Sequence, residues 1–243
     1  MVDAVFAESR LAAIYDPLDP DRHDLDPYVA MVEEFGASSV LDIGCGTGIL
    51  ASRLAQRGIE VIGLDPAAAS LAVARGKPGA ERVWWVEGDA TALPHLAVDL
   101  VTMTGNAAQV FLTDEDWIAT LDAACAALRP GGRLVFETRN PSREAWRGWT
   151  RQETDRRVEI PGVGAVRTWI QLTQVRIPLV SFSSTFVFEA DGAVMVSDST
   201  LRFRDREELT ESLRRGFIVE EVREAPDRPG LELVFIARRG PPR

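Results

Sequence analysis

The feature that most limits how this chain can fold is the run Val40-Leu41-Asp42-Ile43-Gly44-Cys45-Gly46-Thr47-Gly48, in which an apolar stretch and an acid lead into three alternate glycines. Val40, Leu41 and Ile43 form the near-continuous hydrophobic run that a strand covered on both faces of a parallel sheet requires. Alternate glycines let the backbone turn tightly and approach a ligand closely, because no Cβ stands in the way. From Ile49 onward, Leu50, Ala51, Arg53, Leu54, Ala55 and Gln56 favour helix until Gly58 stops it. The unit reads as strand, glycine turn, helix.

Such a unit can hold dinucleotides, phosphates or another adenosine-containing ligand, and the spacing decides among them. The dinucleotide fingerprint is G-x-G-x-x-G; here the glycines fall at 44, 46 and 48 and position 49 is Ile, so the third glycine comes one residue early. No Gly-Lys-Ser/Thr follows, so a P-loop reading fails as well. A second apolar strand, Glu60 to Leu64, ends at Asp65, where an acid can accept both hydroxyls of a ribose. A third, Val83 to Val86, leads to Glu87-Gly88-Asp89-Ala90; a fourth, Val98 to Met103, ends at Thr104-Gly105-Asn106. Thr113, with Asp116 three residues on, is a plausible N-cap for a helix through Leu128, after which Leu128-Arg129-Pro130-Gly131-Gly132 enters a fifth strand.

In this order and spacing, residues 38 to 138 resemble the class I S-adenosylmethionine-dependent methyltransferases. The resemblance implies an α/β fold: a doubly wound, Rossmann-like seven-stranded sheet closed by an antiparallel strand pair. It also implies cofactor contacts. Asp42, Gly44, Cys45, Gly46 and Gly48 would surround the methionine portion, Asp65 and Pro66 the ribose, and Asp89 with Ala90 the adenine, with Thr104 where the reacting methyl group lies. The cofactor implied is S-adenosyl-L-methionine, and the product S-adenosyl-L-homocysteine.

Past Asn140-Pro141 the texture changes, and the segments 165 to 176, 180 to 189 and 193 to 203 read as strands with a hairpin signal at Asp191-Gly192. Asp205 then caps a helix through Arg215, and the strands 218 to 222 and 231 to 237 resemble the closing pair. We divide one domain into an N-terminal helical lid (1–37), a cofactor-binding core (38–140), a β-rich insertion that covers the acceptor (141–204) and the C-terminal part of the core (205–243). Within the first part the stretch Asp16 to Asp21 reads as a turn, and Asp26-Pro27 as the N-cap and first residue of a second helix. An insertion after the fifth strand resembles small-molecule methyltransferases, including those acting on amino sugars. Tyr15, Asn106, Arg139 and Trp146 are the acceptor-binding candidates. Trp149, Trp169, Phe182, Phe186 and Phe188 are further aromatics for a pocket, although the alternation at 182, 184, 186 and 188 is also what a half-buried strand shows.

No catalytic base is assigned. His23, which could fold over the site with Tyr15 and Tyr28, and His95 in a loop read as solvated. Cys45 and Cys125 suggest neither a disulfide framework nor a zinc site, and no metal is expected. The net charge of −10, from 27 basic and 37 acidic residues, disfavours nucleic acid. The basic and aromatic segment from Arg143 to Arg157 is diluted by Glu144, Glu153 and Asp155, and Thr104-Gly105-Asn106-Ala107 replaces the Asn/Asp-Pro-Pro-Tyr/Phe pattern of nucleic-acid methylation. A composition 46% hydrophobic argues against disorder, no apolar stretch reaches membrane-span length, and residues 1 to 10 lack the basic start and apolar core of a leader. The expectation is a soluble, cytoplasmic enzyme with a small-molecule partner, no membrane partner, and a homodimer left open. The rivals are a non-catalytic S-adenosylmethionine-binding regulatory protein and an NAD(P)-dependent oxidoreductase.

Overall fold

The computed structural model describes residues 2–241. Two short helices, α1 (Ala4–Ala7) and α2 (Ser9–Leu18), precede α3 (Asp26–Glu34) and β1 (Ser39–Ile43). The chain then alternates through α4 (Ile49–Gln56), β2 (Glu60–Asp65), α5 (Ala68–Arg75), β3 (Val83–Glu87), β4 (Val98–Met103), α6 (Asp114–Ala127) and β5 (Leu128–Arg139). After α7 (Arg151–Thr154) come β6 (Arg156–Ile160), β7 (Gly164–Arg176), β8 (Leu179–Phe188) and β9 (Val194–Arg202). The chain closes with α8 (Arg206–Leu213), β10 (Phe217–Glu224) and β11 (Glu232–Arg239).

Seven strands form one sheet in the order β10-β11-β5-β4-β1-β2-β3, with β1 to β5 parallel and β11 antiparallel to both its neighbours. The chain winds outward from β1 through β2 and β3, then returns to build β4 and β5 on the other side. The switch point therefore lies between β1 and β4, where open α/β sheets bind ligands at their carboxyl edge.

Successive strand residues serve opposite faces. Val40, Leu100 and Val135 pack with Leu50 and Leu54 of α4 and Val29 and Val32 of α3. Leu41, Val101, Leu134 and Phe136 pack with Trp117 and Leu121 of α6 and Leu209 and Leu213 of α8. Phe136 and Phe235, opposite each other across β5 and β11, stack with ring centroids 5.0 Å apart. Both faces are covered, which explains the continuous apolar strands.

The region between β5 and α8 is a separate antiparallel sheet in the order β6-β7-β8-β9. Its last hairpin turns at Asp191-Gly192, where Gly192 has φ +72° and the Ala193 N–H donates to Asp191 Oδ1 at 3.1 Å. Thr113 and Asp205 cap α6 and α8 as expected, accepting from the N–H groups of Asp116 and Glu208.

Four details differ from the sequence expectations. A fourth strand, β6, adds to the three foreseen. The helix after Asp205 stops at Leu213. Helix α2 runs through Pro17 to Leu18, because a proline in the last turn removes only one donor, the one that would serve the Ala13 carbonyl. Asp26 is the first residue of α3 rather than its cap; its carboxylate lies 2.7 Å from His23 Nδ1 and 3.1 Å from Arg53 Nη1. Among the described residues no helix is long and apolar enough to cross a membrane.

Candidate active site

Gly44, Gly46 and Gly48 all adopt positive φ, at +72°, +54° and +75°. The N–H groups of Gly44 and Cys45 donate to the Leu64 carbonyl at 2.8 and 3.1 Å, which ties the turn to the end of β2. The three glycines are required for different reasons. A Cβ on Gly48 would stand 2.4 Å from the Trp85 ring, and one on Gly44 3.0 Å from the Ala107 methyl, whereas one on Gly46 would meet nothing within 4 Å. The space in front of Gly46 is open, as close approach by a ligand demands.

Asp65 closes this arrangement. Its Oδ2 accepts the Gly46 N–H and its Oδ1 the Ala67 N–H, both at 2.8 Å. Burial pushes the Asp65 carboxyl up against the pull of these two donors. Each oxygen still has accepting capacity to offer a hydroxyl pair. Pro66 is exposed beside it. Asp89 Oδ1 accepts the Thr91 N–H at 2.8 Å, and the Gly88 N–H donates to the Asp65 carbonyl at 3.1 Å. Ala90 is buried in the core. The ends of β1, β2 and β3 thus meet as the motif order predicted.

Asp42 occupies a different position from its neighbours in the motif. It is 1% exposed, its Oδ1 takes the Thr102 hydroxyl at 2.7 Å, and burial pushes its carboxyl up to about 7. That hydrogen bond ties its carboxylate to the neighbouring strand β4. Cys45 is half-buried, and burial holds its thiol protonated.

A cleft of about 630 Å³ adjoins the carboxyl edge of β4 and β5. Tyr15 and Arg22 contribute from the N-terminal segment, Asn106, Glu137, Arg139 and Glu232 from the sheet edge, and Trp169, Phe182 and Phe186 from the second sheet. Asn106 adopts φ +61°, and its Nδ2 donates to Glu232 Oε1 at 3.1 Å. Glu137 holds the turn in place: Oε1 accepts the N–H groups of Gly105 and Asn106, and Oε2 the Tyr28 hydroxyl. Burial pushes Glu137 up, and burial with the Glu137 charge raises Tyr28. Thr104 precedes this turn, and its carbonyl accepts the Ala107 N–H.

Of the acceptor candidates, Tyr15, Asn106 and Arg139 line the cleft and Trp146 is not among its lining residues. Arg139 donates to Gln109 Oε1 at 2.9 Å and sits 5.6 Å above the Trp149 ring. Trp146 is buried against Phe203, centroids 4.6 Å apart, in a cluster with Val180. His23 is exposed beside Asp26 and Asp21 and is not among the residues that line the cleft, and His95 lies in a hollow near the opposite ends of the strands. In the arginine-rich segment, Arg143 donates to the Gly230 carbonyl, while Arg147, Arg151 and Arg157 pair with Glu144, Asp155 and Glu189. Sequence reading assigned no role to Glu137 or Glu232; what brings Glu232 to the cleft is its pairing with Arg139 across β11 and β5.

Helix α2 joins the two parts of the site. Asp16 Oδ1 accepts the Thr47 hydroxyl and Asp16 Oδ2 the Lys77 ammonium, both at 2.6 Å. The other side of α2 buries Leu11, Ile14 and Leu18 against Ile160, Val166, Phe186 and Phe188 of the second sheet.

Residues 40–132 match the family model described as a methyltransferase domain. The chain is 41% identical over 115 residues to a ubiquinone biosynthesis O-methyltransferase of Sodalis glossinidius, an alignment spanning 44% of each chain. It is 28% identical over 188 residues to a malonyl-[acyl-carrier protein] O-methyltransferase of Serratia marcescens, covering 75% of this chain and 68% of that one. The chain therefore spans under half the length of several curated relatives it matches. The solved structure of CalS10, an amino pentose methyltransferase from Micromonospora echinaspora with S-adenosylmethionine bound, superposes with a TM-score of 0.74 at 23% identity, covering 93% of this chain and 97% of that one. Residues 40–132 thus carry the match to a methyltransferase domain, and the whole chain shares the fold of solved S-adenosylmethionine-dependent methyltransferases.

Proposed function

We propose that this protein transfers a methyl group from S-adenosylmethionine to a nitrogen or oxygen of a small-molecule acceptor. The observation that carries the reading is the joint between Asp65 and Gly46: a carboxylate at the end of β2, held by the glycine turn's own N–H, beside open space. In that position Asp65 can take both ribose hydroxyls, the turn from Gly44 to Gly48 can accommodate the methionine portion, and Asp89 with the Ala90 N–H can read the adenine edge. Thr104 then lies where the methyl group would be presented. Residues 1–37 act as a lid, 38–140 with 205–243 as the core, and 141–204 as the acceptor cover.

The cofactor supplies a methyl carbon on a positively charged sulfur, an already activated leaving group, so positioning and exclusion of water can carry much of the rate. Tyr15, Asn106 and Arg139 are at hand for the acceptor. The lining of the cleft holds eight carboxylates against four guanidinium groups, a balance that favours a cationic or neutral acceptor over an anionic one.

Calorimetric titration with S-adenosylmethionine, S-adenosylhomocysteine and NADH tests the proposal on wild type and Asp65→Ala. The expected result is binding of both sulfur ligands but not NADH, weakened at least about tenfold by the substitution through loss of a charged hydrogen-bond acceptor. Selective NADH binding, or none by folded protein, overturns it. Binding without methyl transfer to any of a panel of amines and hydroxyl compounds assigns the protein to non-catalytic cofactor binders.

A further inference from the structure

Of the carboxylates that line the cleft, Glu232 is the most deeply buried. Glu232 opens β11, and because β11 runs antiparallel to β5 its first residue reaches the edge at which the parallel strands end, opposite Arg139. It is 3% exposed yet belongs to the lining of the cleft. Oε1 accepts Asn106 Nδ2 at 3.1 Å and Arg228 Nη1 at 2.8 Å, while Oε2 takes no hydrogen bond among the described residues. An uncommitted carboxylate oxygen on the wall of the cleft can take a charge-assisted hydrogen bond from a donor arriving there.

The surroundings indicate what kind of donor. The lining guanidinium groups are largely committed: Arg22 to Asp24, Arg139 to Gln109 and the face of Trp149, Arg228 to Glu232 and Asp227. An anion entering the cleft would find, among the described residues, one uncommitted guanidinium, Arg156 at the start of β6, and would face Glu137 and Glu232 at the sheet edge. Trp169, Phe182 and Phe186 give the second sheet's side of the cleft an apolar character.

We infer that Glu232 is the specificity residue for the acceptor, its Oε2 taking an N–H hydrogen bond from an amine whose apolar body lies against Trp169, Phe182 and Phe186. The inference deepens the methyltransferase reading and rests on it. Glu232 selects and orients; it takes no part in bond making.

Protein saturated with S-adenosylhomocysteine is titrated with benzylamine and with benzyl alcohol, which keeps the ring and methylene and replaces the ammonium, and binding is followed by NMR. Wild type should bind the amine at least about tenfold more tightly, as a charge-assisted hydrogen bond implies. Glu232→Gln should bring the ratio close to one while leaving S-adenosylhomocysteine affinity unchanged. Should that variant not fold, Glu232→Asp keeps the charge but draws the oxygen back by one methylene, and the ratio should still fall severalfold. Equal binding of the two probes, binding of neither, or an amine preference that survives the substitution overturns the inference while leaving the cofactor reading intact. Failure of S-adenosylhomocysteine to bind overturns both.

Discussion

The two halves of the site are built from different materials. The proposed cofactor side is mostly backbone: three positive-φ glycines, N–H groups aimed at one carbonyl and one carboxylate, and strand ends consecutive in sequence. The proposed acceptor side is a cleft of side chains brought together from Tyr15, Asn106, Trp169 and Glu232, residues separated by tens to more than two hundred positions. Backbone geometry restricts residue type strongly and leaves a motif. A side-chain cleft leaves almost none, since many residue types can line a wall.

The largest effect expected from this contrast is structural and lies on the acceptor side. Trp146 fills a small core with Val180 and Phe203 behind the cleft. Trp146→Ala should cost about 3–5 kcal/mol in denaturant unfolding, with S-adenosylhomocysteine affinity unchanged in the fraction that remains folded. A lost cofactor site without lost stability would break the separation of the two halves.

Next comes Asp42, on the cofactor side. Burial raises its folded carboxyl to about 7, so the native state holds that proton more tightly than the unfolded chain does. The associated stability is complete below the unfolded value and is lost as pH rises to about 7. Between pH 5 and 7 stability should fall by about 2 kcal/mol from this group, the slope approaching roughly 1.4 kcal/mol per unit near pH 5 and flattening as the folded carboxyl itself ionises near 7. Asp42→Asn, whose amide oxygen can still take the Thr102 hydroxyl, should flatten that slope in unfolding curves measured across the range. An unchanged slope would show that Asp42 stays ionised.

The smallest effect probes the seam between the halves. Helix α2 is held to the glycine turn by polar contacts from Asp16 and to the second sheet by apolar packing from Leu11, Ile14 and Leu18. Polar contacts near water are the ones that open easily. Asp16→Asn keeps an acceptor for Thr47 but removes the charge paired with Lys77. Stopped-flow release of S-adenosylhomocysteine should speed up about threefold to tenfold, roughly 1 kcal/mol, with little change in melting. Unaltered release would mean that α2 does not gate the cofactor.

Legibility in the sequence follows the same division. The strand from Val40, the acid at Asp65 and the caps Thr113 and Asp205 were readable because each needs one of a few residue types at a fixed place. The strand β6 was less so, since Arg156 to Ile160 alternates weakly and gains its place by pairing with β7. Asp42 shares the motif with the glycines, but its carboxylate is committed to Thr102, a contact set by the register of β1 and β4. Glu137 read as part of a strand entry and Glu232 as an ordinary residue of a closing strand; the pairing of β5 with β11 and the turn at Gly105 and Asn106 give them their positions. Trp146 shows the converse: an aromatic in a promising segment can be core.

The most direct test of the account is to map S-adenosylhomocysteine on the protein by backbone amide NMR. The largest shifts should fall at Gly44 to Gly48, Asp65 to Ala67, Asp89 and Ala90, and Thr104 and Gly105, with the β7 to β9 sheet responding weakly. Shifts confined to Trp169, Phe182 and Phe186, with the glycine turn unmoved, would contradict it.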